Sequence, residues 1–193
     1  MGYHHGDLRT AMIDAGTALV AEGGLSALSV AEAARRAGVS AAAPYRHFPS
    51  RQHFVIAVAA RAAQELDTAM RAAADAAGDD PVEAIAAAAA AYVRFVATRR
   101  TGFDVVYASE LRGVHDEDLR EAGRSVSDIV LLRAIEATNG DNRAAVDVIP
   151  QFMAIAHGAA SMHQIGIFSD PDSAADLAAR TMRNLLHAAT AQH

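Results

Sequence analysis

Polar side chains that can bind phosphate are concentrated between residues 40 and 51. Tyr45, Arg46 and His47 follow one another, and Arg51 comes four residues after His47. A tyrosine hydroxyl and an arginine guanidinium both donate hydrogen bonds to phosphate oxygens, and the N–H groups at a helix N-terminus add further donors. This grouping predicts contact with a nucleic-acid backbone.

Other residues that could carry chemistry form no recognisable site. The chain has no cysteine, which excludes thiolate metal sites and thiol catalysis. His157 and His163 lie six residues apart, so they occupy different faces of a helix. The sequence contains no His-Glu-x-x-His pair, nucleophile elbow or glycine-rich phosphate loop. We therefore expect no metal site, no cofactor and no enzymatic activity.

The candidate phosphate-binding residues follow two predicted short helices that are separated by a tight turn. Ser29 with Glu32 has the spacing of a capping box, and Gly38 supplies the positive φ of the turn. Ser40 is expected to cap the second helix, which ends near Phe48. The small core of this unit is predicted to contain Val30, Ala33, Ala34 and Val39. This arrangement is typical of a helix-turn-helix.

Helical periodicity continues along the whole chain, and no alternating run indicates a strand. The prediction is an all-α fold with about nine helices: 8–22, 29–37, 40–48, 51–77, 81–99, 103–111, 119–137, 142–165 and 171 to the C-terminus. Pro150 is expected to kink or break the eighth. We expect a three-helix, helix-turn-helix DNA-binding domain over 1–50 and a helical-bundle domain for ligand binding and dimerisation over 51–193.

The charge distribution permits nucleic-acid binding although the whole chain is acidic. The net charge is −6, but residues 1–60 carry +1 and the remainder carries −7. The apolar run Ala84–Val93 is too short to span a bilayer, and the N-terminus lacks the pattern of a secretory signal. The expectation is a soluble cytoplasmic protein that binds no membrane.

The stretch from Ser29 to Phe54 resembles the DNA-binding signature of the TetR family of repressors, whose pattern is approximately ia..aGVs...lYrhF.sKe.L. The matching positions are Ala34, Gly38-Val39-Ser40, Tyr45-Arg46-His47-Phe48 and Ser50. The family lysine is replaced by Arg51, and the family apolar residue before the tyrosine is replaced by Pro44. The strings YHHGDLR and AHGAASM, the latter with His157 and Gly158, resemble a branch with a C-terminal His-Gly (WHG-type) element.

The resemblance implies which residues meet DNA. Phosphate contacts are implied at Ser29, Tyr45, His47 and Arg51. Groove-facing positions are implied at Ser40, Ala41, Ala42 and Ala43. Phe48 is interpreted as a core residue.

The groove-facing segment is unusual because its three alanines offer only methyl groups. Methyl groups can contact thymine methyls but cannot form bidentate hydrogen bonds with bases. Direct readout must then come from Ser40, Arg46 or His47, or from an N-terminal residue such as Tyr3 or His4, with DNA shape supplying the rest. Pro44 removes a hydrogen bond from the reading helix, which we expect to be distorted or to begin late.

The resemblance also implies a homodimer that binds a palindromic double-stranded DNA operator, with the last two helices pairing across the two-fold axis. Small residues there allow close approach of helices: Ala156, Gly158, Ala159, Ala160, Ala175, Ala178 and Ala179. They could equally form an intramolecular face. A small, largely apolar effector is expected in a pocket lined by Tyr92, Phe95, Phe103, Tyr107, Phe152, Met153 and His157.

The function predicted is therefore a transcriptional repressor that its ligand releases from the operator. Ligand binding would favour a conformation in which the fourth helix moves the two DNA-binding domains of the dimer, its heads, out of register with the DNA grooves. Two alternatives remain open, namely a transcription activator of the same fold and a helical protein-interaction module that does not bind DNA.

Overall fold

The computed structural model describes residues 5–98, Leu111 and residues 116–190. Every regular element in these ranges is helical, which confirms the all-α prediction. The α-helices are α1 (His5–Gly23), α2 (Val30–Arg36), α3 (Arg51–Ala76), α4 (Pro81–Thr98), α5 (Glu117–Ala137), α6 (Asn142–Gln164) and α7 (Pro171–Thr190). Two 3-10 helices are present, η1 (Leu25–Ala27) and η2 (Ala43–Arg46).

The predicted count of about nine helices is slightly off, since the described ranges contain seven α-helices. One difference is the predicted third helix, of which only the single 3-10 turn η2 forms. The predicted sixth helix, over 103–111, lies outside the described residues apart from Leu111.

A break at Pro150 does not occur, because α6 continues through it from Asn142 to Gln164. Proline has no N–H, so it leaves the carbonyl of Val146, four residues earlier, without its helical donor. Pro150 is exposed, and Val146 is 54% exposed. The missing bond therefore lies on the solvent side of the helix, where water can hydrate the carbonyl.

The N-terminal compact unit contains the described residues up to Ala63, together with Leu111 and residues 116–123. The rings of Phe48 and Phe54 meet edge to face in its core, with centroids 5.0 Å apart. Gly16 lets α1 approach α3 closely, because a Cβ there would lie 2.7 Å from both Phe54 Cζ and Val58 Cγ2. Helices α1, α2 and the first half of α3 thus share one apolar core.

The second compact unit contains Gln64–Thr98 and the described residues from 124 onwards. In this unit α4 packs against α6 and α7. Helix α4 is long and apolar enough to cross a membrane, yet 67% of it is buried within the protein, as expected of a core helix. The single N–H of Arg183 Nε is shared by the two carboxylate oxygens of Glu83, at 2.8 and 2.9 Å, and Arg94 Nε lies 2.6 Å from Asp172 Oδ1. These ion pairs join α4 to the first turn and to the C-terminal half of α7.

The small residues of the last two helices mostly face the interior of this unit. Six alanines of the predicted close-approach set are buried, namely Ala156, Ala159, Ala160, Ala175, Ala178 and Ala179. They allow α6 and α7 to pack within the same chain. The intramolecular alternative therefore accounts for these positions.

Candidate nucleic-acid interface

Helix α2 begins and ends where the sequence predicts. Ser29 is its N-cap, with Oγ accepting a hydrogen bond from Glu32 N at 3.4 Å. The capping box is only half formed, because the Glu32 carboxylate binds arginines instead of returning to the Ser29 N–H. The turn after α2 contains Gly38 at φ 70°, and Val39 N donates to Ala34 O at 3.0 Å. A positive φ here is the reason for glycine.

The two arginines at the end of α2 are engaged by carboxylates of the same unit. Arg35 binds Glu32 through Nε and Nη2 at 2.8 and 2.7 Å. Arg36 binds Glu22 of α1 through two nitrogens, both at 2.7 Å, and reaches Glu32 at 3.1 Å. The hydrogen bonds from Arg35 and Arg36 lower the pKa of Glu32 to about 2, and Arg36 lowers that of Glu22. This network ties α1 to α2 and neutralises the charge at this end of α2.

The segment after the turn is held by backbone hydrogen bonds. Ala43 N donates to Ser40 O at 3.1 Å, so residues 40–43 form a closed turn. Pro44 stands in the first turn of η2, and its carbonyl accepts from His47 N at 2.9 Å and Phe48 N at 2.8 Å. We expected this helix to be distorted or to begin late, and it begins at Ala43 as a 3-10 turn. Proline cannot donate the bond that an α-helix from Ser40 requires.

Two buried positions four residues apart orient the side chains of η2 and the residues after it. Pro44 is buried and Phe48 is 1% exposed, so both face the core, and the interpretation of Phe48 as a core residue agrees with this burial. Tyr45 is 57% exposed, and Arg46 is also exposed. The tyrosine hydroxyl and the guanidinium therefore extend from the surface of the unit.

The N-terminus of α3 provides the next set of donors. Ser50 Oγ accepts from His53 N at 3.4 Å and lies 2.8 Å from His53 Nδ1. Arg51 is exposed at the first position of α3. A cation in the first turn opposes the helix dipole, and a phosphate placed there would interact favourably with both. The start of α3 is thus suited to an anion.

The structure places all the predicted DNA-binding residues in the N-terminal unit. The exposed ones are Ser40, Ala41, Ala42, Tyr45, Arg46 and Arg51, and the half-buried ones are Ser29, Ala43 and His47. Between Ser29 and Arg51 they occupy the N-terminus of α2, the closed turn, η2 and the start of α3.

Sequence reasoning missed two features that position this interface. Gly16 sets the distance between α1 and α3, and the Glu22–Arg36 pair joins α1 to α2. A glycine inside a predicted helix is itself a signal of close packing, and it could have identified Gly16. No local pattern indicates the Glu22–Arg36 pair, because the two residues are 14 positions apart on different helices.

The predicted pocket residues are distributed over different parts of the second unit. Tyr92 and Phe152 are each 1% exposed, with their rings edge to face and their centroids 6.2 Å apart, and Phe95 is 8% exposed. Met153 and His157 are half-buried on another face of α6. The two other predicted members, Phe103 and Tyr107, lie outside the described residues.

A groove of about 430 Å³ opens elsewhere in the same unit, between the loop after α5, the start of α6 and the end of α7. Its lining includes Asp141, Asp147, Gln151, Leu185 and Leu186. It contains none of the seven predicted pocket residues.

These features together define a helix-turn-helix DNA-binding protein. They are a capped short helix, a glycine turn, an exposed reading segment and a following helix that begins with a cation. Residues 12–58 match the family model described as bacterial regulatory proteins, tetR family. Residues 85–185 match the model described as the Tetracyclin repressor-like C-terminal domain. The chain belongs to the TetR family of bacterial transcriptional regulators.

Solved structures share the fold of this chain. A Rhodococcus sp. RHA1 protein of unknown function is 28% identical with a TM-score of 0.80, over 95% of this chain and 97% of that one. A tetR-family regulatory protein from Rhodococcus RHA1 is 19% identical with a TM-score of 0.68, over 93% and 96%.

FadR from Bacillus subtilis, solved in complex with stearoyl-CoA, is 15% identical with a TM-score of 0.70, over 93% of this chain and 98% of that one. At this level of identity the likeness shows the fold alone. A comparison with curated protein sequences found no match.

Proposed function

We propose that the protein is a dimeric transcriptional repressor that a small, largely apolar ligand releases from its operator. The observation that carries the DNA-binding part is the exposure of Tyr45, Arg46 and Arg51 around the end of η2 and the start of α3. These donors lie on either side of the buried Phe48. Tyr45, His47 and Arg51 anchor the phosphate backbone, together with Ser29 at the start of α2.

Arg35 and Arg36 bind carboxylates, and a phosphate would have to compete with those bonds. The proposed phosphate contacts are therefore placed at the exposed residues after the turn, including Arg46 and Arg51. Since neutralised phosphates release counterions from DNA, binding is strongly salt-dependent.

Replacing both Tyr45 and Arg51 by alanine is expected to abolish binding to the DNA upstream of the protein's own gene. Both side chains are exposed, so the fold and the oligomeric state should be unchanged. Gel-shift titrations at several salt concentrations give the affinity and its salt slope. Arg51→Ala alone should reduce the slope by about 0.9 for each phosphate that is no longer neutralised, and the two heads of a dimer double that effect.

The control is Arg124→Ala, which removes the same charge from an exposed position on α5. It should leave the affinity and the slope within error of the wild type. If Arg51→Ala and Arg124→Ala reduce the affinity and the salt slope equally, DNA binding depends on net charge and not on the proposed interface. If the Tyr45→Ala, Arg51→Ala double variant binds DNA as tightly as the wild type, the proposed DNA interface is wrong.

The dimer is proposed to form through one face of α6. Val146, Pro150, Met153 and His157 follow the spacing i, i+4, i+7 and i+11, which places them on one side of the helix. Val146 is 54% exposed, Pro150 is exposed, and Met153 and His157 are half-buried. A largely apolar stripe that is partly exposed in the protomer is suited to an isologous interface with a second copy.

Val146→Asp is expected to convert the dimer to a monomer, because two carboxylates would face each other near the two-fold axis. Light scattering coupled to size-exclusion chromatography measures the mass directly. Leu132→Asp is the matched control, since Leu132 of α5 is 59% exposed and lies outside the stripe. A Val146→Asp protein that remains dimeric at micromolar concentration would place the interface elsewhere.

The effector is proposed to bind near the buried aromatic side chains Tyr92, Phe95 and Phe152 of the second unit. The other four predicted contacts stay a prediction, namely Phe103, Tyr107, Met153 and His157. The buried aromatic side chains on α4 and α6 support an apolar ligand. The solved FadR complex contains stearoyl-CoA, a ligand with a long apolar chain, which shows that a protein of this fold can accept one. Footprinting across the genome would identify the operator and the neighbouring genes, from which the ligand class follows.

The repressor operates in the cytoplasm, where its DNA is, and its operator is a palindrome that matches the two-fold symmetry of the dimer. The functional division into a DNA-binding domain over 1–50 and a regulatory domain over 51–193 is part of this proposal. Membership of the branch with the His-Gly element also stays a prediction.

A further inference from the structure

The turn between α2 and η2 presents methyl groups to solvent. Residues 40–43 are closed by the bond from Ala43 N to Ser40 O, which places Ala41 and Ala42 at the two central positions. Both alanines are exposed, whereas Ala43 is half-buried and Pro44 is buried. From Ala41 to Pro44 no side chain carries a hydrogen-bond donor or acceptor. The tip of the turn is therefore apolar and small.

Thymine is the only base that shows a methyl group in the major groove of DNA. A side chain without donors or acceptors cannot recognise the polar edges of bases, but it can exclude water from a methyl group. Alanine is also short, so the backbone of the turn can approach the bases more closely than a longer side chain would allow. A turn with two adjacent alanines fits two methyl groups on neighbouring base pairs.

We propose that Ala41 and Ala42 contribute to operator specificity by contacting the 5-methyl groups of thymines, in addition to any readout by Ser40, Arg46 or His47. This inference rests on the proposed DNA-binding function, and it adds the chemical feature that is read. Tyr45 and Arg51 then fix the register of the head on the phosphates, and the methyl groups select the sequence. Pro44 contributes by holding η2 against the core, which keeps the turn in place.

The test removes the methyl group from the DNA and leaves every hydrogen-bonding group unchanged. Sequences that the wild-type protein prefers are first selected from random double-stranded DNA. One selected duplex is then synthesised with thymine, and again with deoxyuridine at each half-site thymine in turn. Burial of one methyl corresponds to about fourfold in affinity. Because each of the two heads would bury two thymine methyls, removing all of them should weaken binding on the order of one hundredfold.

Two controls separate methyl recognition from other effects of uracil. Deoxyuridine placed only outside the half-sites should change the affinity less than twofold. This control measures the effect of altered DNA stiffness, which would act there as well. The Ala41→Gly, Ala42→Gly double variant should bind thymine and uracil half-sites with nearly equal affinity, since it lacks the protein methyls. Circular dichroism checks that this variant keeps its helical content.

Two outcomes would overturn the inference in different ways. Tight, sequence-selective binding with equal affinity for thymine and uracil half-sites would refute methyl readout and leave the proposed function standing. Failure to select any DNA would refute the proposed function and this inference with it. Weaker binding confined to particular half-site thymines, and absent in the glycine double variant, would support the assignment of Ala41 and Ala42.

Discussion

Replacing Phe54 by alanine is expected to lower the free energy of unfolding of the N-terminal unit by about 3–5 kcal/mol. Phe54 is 0% exposed, and its ring meets that of Phe48 edge to face. The substitution removes the transfer free energy of the ring and leaves a cavity that Gly16 and Val58 cannot fill. Domains are stable by only about 5–15 kcal/mol, so this loss is a large fraction of the stability of the unit.

Hydrogen exchange of residues 8–22 and 54–63, followed by mass spectrometry, measures this destabilisation within the N-terminal unit. Leu132→Ala is the control, because a side chain that is 59% exposed should change stability by less than about 0.5 kcal/mol. Exchange in the Phe54→Ala protein as slow as in the wild type would show that the ring does not support this core.

Gly16→Val is expected to destabilise the same unit by about 3 kcal/mol, the upper end of the usual cost of overpacking. The new Cβ alone would lie 2.7 Å from Phe54 Cζ and Val58 Cγ2, and 3.2 Å from Leu28 Cδ1. These three side chains are almost fully buried, so none of them can move aside into solvent. Helix α1 must shift away from α3, which also disturbs the Arg36–Glu22 pair.

The matched control is Gly123→Ala in α5, where no atom lies within 4 Å of the added Cβ. That substitution should stabilise its helix by about 0.5–1 kcal/mol, because alanine loses less backbone entropy than glycine. Thermal unfolding of the two variants should therefore shift in opposite directions. An unfolding temperature of Gly16→Val equal to or above that of the wild type would mean that Gly16 is not at a close approach.

Local sequence was sufficient to predict the first helix and the turn of the helix-turn-helix, but not that its second helix is a single 3-10 turn. Ser29 caps α2 through its own side chain, and Gly38 adopts the positive φ that few other residues tolerate. Pro44 restricts its own backbone, so the late start of the reading helix could also be anticipated. In each case the physical cause lies within a few residues of its effect.

Local sequence could not decide which of the predicted pocket residues are packed in the core. Tyr92, Phe152 and His157 all have the composition of a pocket lining, yet Tyr92 and Phe152 pack against each other in the core and His157 is half-buried on another face of α6. Whether a ring contacts a ligand or another ring depends on how helices distant in the chain pack. The small residues of α6 and α7 illustrate the same point, because their burial within the chain was one of two equal alternatives.

The candidate DNA interface depends both on local sequence and on tertiary packing. The sequence by itself determined the family, the all-α class and the identity of the exposed donors Tyr45, Arg46 and Arg51, since caps, turns and motif spacing are local properties. Only the tertiary structure decided that Arg36 is engaged by Glu22 of α1, and that α1 approaches α3 at Gly16. Those interactions join residues far apart in the chain, and their geometry exists only once the helices have packed.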